Sequence, residues 1–139
     1  MDFEKLIVYQ KAKKFNLIIN EDVLTITSLD RILKDQLRRA SLSIVLNIAE
    51  GCSRFSNADR KNYFVISRGS TFESVAALDT IKPGLIDNEI LVNLKALAEE
   101  ISKMLFVMIR QLQKWNFLLD PVFLTLYYHI HALNINPYL

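Results

Sequence analysis

The residues best placed to do chemistry in this chain are charged and lie between Arg38 and Glu73. Arg38 and Arg39 are adjacent, Glu50 precedes Arg54 by four residues, Arg60 adjoins Lys61, and Arg68 is followed by Glu73. Glu50 and Glu73 have the carboxylates needed for general acid or base work. The same two acids also suit ion pairs: Glu50 with Arg54 in the favourable i,i+4 order, and Glu73 with Arg38 or Arg39 across helices. Ion pairing is the better account, because no nucleophile or metal set accompanies them. Arg38, Arg39, Arg54, Arg60 and Arg68 outnumber the local acids. An arginine without an acid offers phosphate a rigid fork of donors.

The other groups that could support catalysis do not assemble into a site. Cys52 is the single cysteine, which excludes an intramolecular disulfide and a cysteine-based zinc site and suits a reducing cytoplasm. His129 and His131 are two apart, so on a helix they point to different faces and cannot chelate one metal. No Glu-x-x-His pattern of a di-iron bundle occurs. Gly51, Gly69 and Gly84 are isolated and make no phosphate loop. Asn47 reads as a buried polar contact that sets register between helices, and Ser41, Ser43 and Ser70 read as small interface residues. No enzyme activity, metal or cofactor is expected.

Helices must position these residues. From Gln36 to Arg54, Leu37, Ala40, Ile44 and Ile48 recur at steps of three and four and Gly51 continues the stripe, which gives one helix with one buried face. Leu33 extends that face backward, Ser28 is the candidate N-cap, and the helix ends near Ser53. Before it, Phe3 to about Asn20 forms a helix on Val8, Ala12, Phe15 and Ile19. The β-branched run Thr25-Ile26-Thr27 lies in the connection. Ser56 or Asn57 caps a third helix, with Asp59 in its first turn. Its inner face carries Phe64, Thr71, Val75, Leu78 and Ile81, and Lys82-Pro83-Gly84 stops it. Asp87 caps a fourth helix, whose stripe holds Ile90, Leu94, Leu97, Ile101, Met104, Met108 and Trp115, widened by Leu105 and Leu112. Short connections favour an all-α, up-down-up-down antiparallel four-helix bundle over residues 1–117.

A glycine in a helix interior costs about 1 kcal/mol relative to alanine, so Gly51 and Gly69 point to helix ends or close backbone approach. If the second and third helices turn near Phe55, positions whose numbers sum to about 110 face each other in an antiparallel pair. That register sets Ser41 opposite Gly69, Arg38 near Phe72 and Glu73, and Glu50 near Arg60.

Residues 118–139 differ in composition, with Asp120 as the one formal charge. Asp120-Pro121 reads as a cap and first helical residue, and Val122 to Leu133 as a short helix. This apolar extension is too short and interrupted to span a bilayer, which needs about 20 apolar residues. Three readings fit it: a segment packing on a neighbouring subunit, a partner-binding tail, or sequence added at the end of the reading frame. The first is favoured, because a large exposed apolar surface is rare on a soluble protein. The opening Met1-Asp2-Phe3-Glu4 has no basic stretch before an apolar run, so no secretion signal is expected there.

Arg38, Arg39, Ala40, Ser43, Ile44, Asn47, Ile48, Ala49, Glu50, Gly51 and Arg54, followed by Phe64, Arg68, Gly69, Ser70 and Glu73, form a dense pattern. It resembles the small four-helix-bundle family whose members are also called 23S ribosomal RNA intervening-sequence proteins. The segment Leu6 to Ala12 resembles the family's first helix. The resemblance implies a bacterial protein whose bundle assembles into a ring, a homopentamer. Members are encoded inside inserts in the large ribosomal RNA. Related accessory subunits of diversity-generating retroelements look like binders of RNA and of a reverse transcriptase. The family has no established catalytic residues.

Net charge is only +2, but the span from Arg31 to Arg68 holds eight basic residues against three acids, a local charge of +5. Repeated around a ring, such a surface builds a strong potential. Charge alone fits a solvated helix surface laced with ion pairs. It is the family resemblance that implies non-catalytic binding of RNA or DNA, with Arg38, Arg39, Arg54, Arg60, Lys61 and Arg68 as the candidate residues and a ribosomal component or reverse transcriptase as protein partner. Tyr63 and Phe64 read as core residues, so binding should be backbone-dominated. The alternative is an interaction scaffold whose arginines serve subunit contacts alone.

Overall fold

The computed structural model describes residues 2–118, all helices and connections. A single 3-10 turn, Asp2–Lys5, leads into α1 (Ile7–Ile18). Next come α2 (Arg31–Ser53), α3 (Asn57–Asp79) and α4 (Asn88–Leu118). Each helix packs on its sequence neighbour, and α4 closes the ring against α1, which gives the up-down four-helix bundle. Expectations for the Trp115 side chain and for the extension beyond Leu118 lie outside the described residues.

The apolar stripes become the core. Val8, Ala12, Phe15 and Ile19 are buried from α1. Leu37, Ala40, Ile44 and Ile48 are buried from α2, and Leu94, Leu97, Ile101 and Leu105 from α4. In α3, Phe64, Thr71 and Leu78 are buried and Val75 is half-buried at the edge, while Ile81, expected on the same helix face, lies half-buried just beyond the helix end.

Local chemistry moved several boundaries. α1 does not stop near Asn20. It continues as one wider π-turn, Ile19–Val23, in which the Leu24 amide donates to the Ile19 carbonyl. This turn keeps both Ile19 and Val23 in the core before the β-branched run ends the helix. Ser28 is not the cap of α2. Leu29 is drawn into the core, and Asp30 takes the cap position, its Oδ1 accepting from the amides of Ile32 at 2.8 Å and Leu33 at 3.1 Å. Ser56, rather than Asn57, caps α3. Its Oγ accepts from the Asp59 amide and donates to the Asp59 carboxylate. Asp87 caps α4 as expected. Gly84 takes a left-handed backbone with φ of 85°, which explains a glycine at that turn.

A polar seam sets the register of α2 against α3. Ser67 Oγ donates to the Ile44 carbonyl at 2.9 Å, Ser43 and Ser70 share a 2.8 Å hydrogen bond, and Gln36 Nε2 donates to Glu73. The sequence register was close, but its pairings of Ser41 with Gly69, of Glu50 with Arg60 and of Arg38 with Glu73 fail. Ser41 turns away from α3 and donates to Asn16 of α1 at 2.9 Å. It lies about 200° around the helix from Ser43, which is the α3-facing position. Glu50 meets Arg54 of its own helix end rather than Arg60.

Candidate nucleic-acid interface

The turn joining α2 to α3 carries Arg54, Arg60 and Lys61. Arg54 is the C-cap of α2, where its extended backbone ends the helix. Its guanidinium pairs with Glu50, lies 4.7 Å from the Tyr63 ring centroid and donates from Nη2 to the Tyr63 hydroxyl at 2.9 Å. These contacts lock the turn and leave Arg54 little freedom to meet a ligand.

Arg60 points inward across the bundle end. It lines a cavity of about 450 Å³ with Asp2, Phe3, Leu6, Cys52 and Ser53, and its Nε is buried without a hydrogen-bond partner. Burial pushes the Cys52 thiol above its usual range, and the Arg60 charge pulls it back only in part. Lys61 follows Arg60 and therefore projects about 100° away around α3. The two share a bundle end but not a face.

The other expected site residues sit elsewhere. Arg38 is exposed and pairs with Asp35 at 3.0 Å. Arg39 is exposed and, among the described residues, has no carboxylate partner. Fifteen residues of helix separate Arg39 from Arg54, about 22 Å along the axis. Arg68 lies on the seam between α3 and α4, donating from Nε to Ser102 Oγ at 3.2 Å. The six basic residues are thus three separate groups, because they point in different directions around two helices.

Two structural assignments change as well. Glu73 meets Gln36, not Arg38 or Arg39, since the seam-facing position of α2 at that level is Gln36 and Arg38 lies about 200° from it. Asn47 does not itself bridge helices. Its Nδ2 donates to the Ser43 carbonyl at 2.8 Å and to Ser43 Oγ at 3.0 Å, and Ser43 makes the cross-helix contact. Glu50 pairs with Arg54 as its spacing required. Sequence reasoning missed Phe72 and Phe106, both half-exposed and both stacked against Arg68. The signal was there in the four-residue step from Arg68 to Phe72, but the partner on α4 carried none.

Among the described residues no group of His, Cys, Asp and Glu could hold a metal ion, and no helix is long and apolar enough to cross a membrane.

The family model described as 23S rRNA-intervening sequence protein matches residues 4–107. This chain belongs to that family. A similar solved structure, from Bacteroides thetaiotaomicron, is described as a protein with unknown function from the S23 ribosomal protein family. It is 25% identical, covers 74% of this chain and 98% of its own, and superposes with a TM-score of 0.67. Among curated proteins nothing matches. In this member of the intervening-sequence family, Ser43, Asn47, Gly51, Phe64 and Ser70 build the α2–α3 seam. Much of the recognisable pattern is therefore packing.

Proposed function

We propose that this chain is a non-catalytic, oligomeric nucleic-acid-binding protein of the cytoplasm that grips phosphate through arginines and lysines. The carrying observation is a charge imbalance inside the fold. Every acid between Arg31 and Arg68 is already engaged: Asp35 with Arg38, Glu50 with Arg54 and Asp59 with Ser56. Among the described residues, Arg31, Lys34, Arg39, Arg60, Lys61 and Arg68 have no carboxylate partner. Cations left unneutralised attract a polyanion and release its counterions. The family's name, tied to an intervening sequence in 23S rRNA, supports RNA as the first ligand to try. A ribosomal component or a reverse transcriptase is the protein partner this reading favours.

Oligomerisation, a pentamer by the resemblance, would multiply weak phosphate contacts through avidity. Leu42 and Leu46 on the outer side of α2 are 44% and 57% exposed and offer an apolar strip for a second subunit. That strip is also what favours the scaffold reading, in which subunit assembly is the whole purpose. A titration of structured RNA and of duplex DNA at two salt concentrations separates the two readings. Affinity that falls steeply with salt, and falls further when Arg60 and Lys61 are both neutralised, supports phosphate binding. No binding by the wild-type oligomer at low salt leaves the scaffold.

A further inference from the structure

Arg68 is held in a way that ion pairing does not explain. Among the described residues it has no carboxylate partner, and only its Nε is hydrogen-bonded, to Ser102. Its guanidinium carbon lies 4.9 Å from the Phe72 ring centroid and 5.4 Å from that of Phe106. Both rings are open to solvent, Phe72 at 55% and Phe106 at 50% exposure. Beside Phe72 a groove of about 330 Å³ runs between α3 and α4. Thr71, Val75 and Ala98 line it, with Lys95 and Lys103 at its margin. These two lysines are paired with Asp79 and Glu99, so Arg68 holds the unneutralised charge.

We infer that Phe72, Arg68 and Phe106 form a base-stacking site for single-stranded nucleic acid, which deepens the phosphate-binding reading above and rests on it. The two terminal nitrogens of Arg68 have no hydrogen-bond partner among the described residues and suit the two oxygens of one phosphate. An unpaired base then lies on the exposed Phe72 ring at the mouth of the apolar groove. Stacking needs an exposed π-face on both sides, which a duplex does not offer along its length and an unpaired strand does. The other aromatics of α3 are not available for this. Phe64 is 3% exposed, and Tyr63 is less exposed than Phe72, with its hydroxyl bonded to Arg54. Because every base has a π-face, the site tolerates many sequences.

The test uses the full chain and three fluorescently labelled probes of equal length: a single strand of mixed bases, the same backbone made abasic, and a duplex. The wild type is expected to bind the base-bearing strand roughly 5- to 100-fold more tightly than the abasic one, the range for stacking on one aromatic platform. Phe72→Leu with Phe106→Leu keeps the apolar bulk and removes the rings. This variant is expected to lose that preference while keeping its melting temperature and particle mass. Neutralising Arg60 and Lys61 instead should weaken all three probes alike. Equal affinity of the wild type for the base-bearing and abasic strands overturns the stacking site and leaves phosphate binding standing. A change of particle mass in the leucine variant makes this face a subunit contact and overturns the site as well. Failure of the wild type to bind any probe at low salt overturns both readings together.

Discussion

An ideal Cβ on Gly51 would lie 2.6 Å from Cε1 and 2.9 Å from Cδ1 of Phe64. Phe64 is 3% exposed and packed in the core, so its ring cannot swing into solvent. The glycine is what lets the end of α2 approach α3 closely. Gly69 has the same apparent status in the sequence and the opposite environment, since nothing lies within 4 Å of its Cβ position.

The two glycines should respond to alanine with opposite signs. Gly51→Ala gains helix propensity but overpacks the seam, and overpacking typically costs about 1–3 kcal/mol. A net loss of stability is expected. Gly69→Ala meets no obstacle and should gain up to about 1 kcal/mol. Urea unfolding of both variants beside the wild type decides the matter. Equal and same-signed shifts would mean that the α2–α3 seam is looser than it looks.

The start of α2 gives a second contrast. Asp30 accepts from two first-turn amides, whereas Ser28 lies exposed in the connection. Asp30→Ala should cost about 1 kcal/mol, as loss of a helix cap does. Ser28→Ala should change stability by less than about 0.5 kcal/mol, as an ordinary surface substitution does. Thermal melts of the two variants check this, and a larger effect at Ser28 would restore it as the cap.

These contrasts mark where the sequence was legible. Val8, Ala12, Phe15 and Ile19 showed a buried face because helical periodicity depends only on spacing. Caps were harder, because Ser28 and Asp30 are both good candidates and the burial of Leu29, a tertiary event, chose between them. The candidate site was hardest. Ser41 and Ser43 are two residues apart and serve different helices, and Arg60 and Lys61 are adjacent and leave their helix in different directions. Charge counts add such residues together, but a binding surface depends on the direction of each. Phe106 joins Arg68 only through the α3–α4 packing, so nothing near Arg68 in the chain announced it.

Glu73 offers a check on the polar seam. It is exposed and bonded to Gln36, while Arg38 is occupied with Asp35. Glu73→Gln should therefore cost under about 1 kcal/mol rather than the larger loss of a broken buried pair. A double-mutant cycle between Glu73 and Arg38 should be additive within about 0.5 kcal/mol, and one between Glu73 and Gln36 should not. Strong coupling of Glu73 to Arg38 would return the ion pair to the bundle.

Cys52 and Arg60 line one cavity and act on each other electrostatically. Burial holds the thiol above its usual range and the Arg60 charge opposes that shift. Alkylation by iodoacetamide at neutral pH should therefore be slower than for an unhindered thiol, since the thiolate is the nucleophile. The sign of the stability effect follows from proton binding. Above the pKa of the unfolded thiol the folded chain holds more protons, so the contribution of Cys52 to stability falls as pH rises through that region. Arg60→Gln removes the charge that favours the thiolate and should move the midpoint of the alkylation–pH profile upward. Simple loosening of the cavity would instead relieve the burial of the thiol and move the midpoint downward. A midpoint that stays in place or moves down in Arg60→Gln would show that the Arg60 charge is not the main effect of that side chain on Cys52.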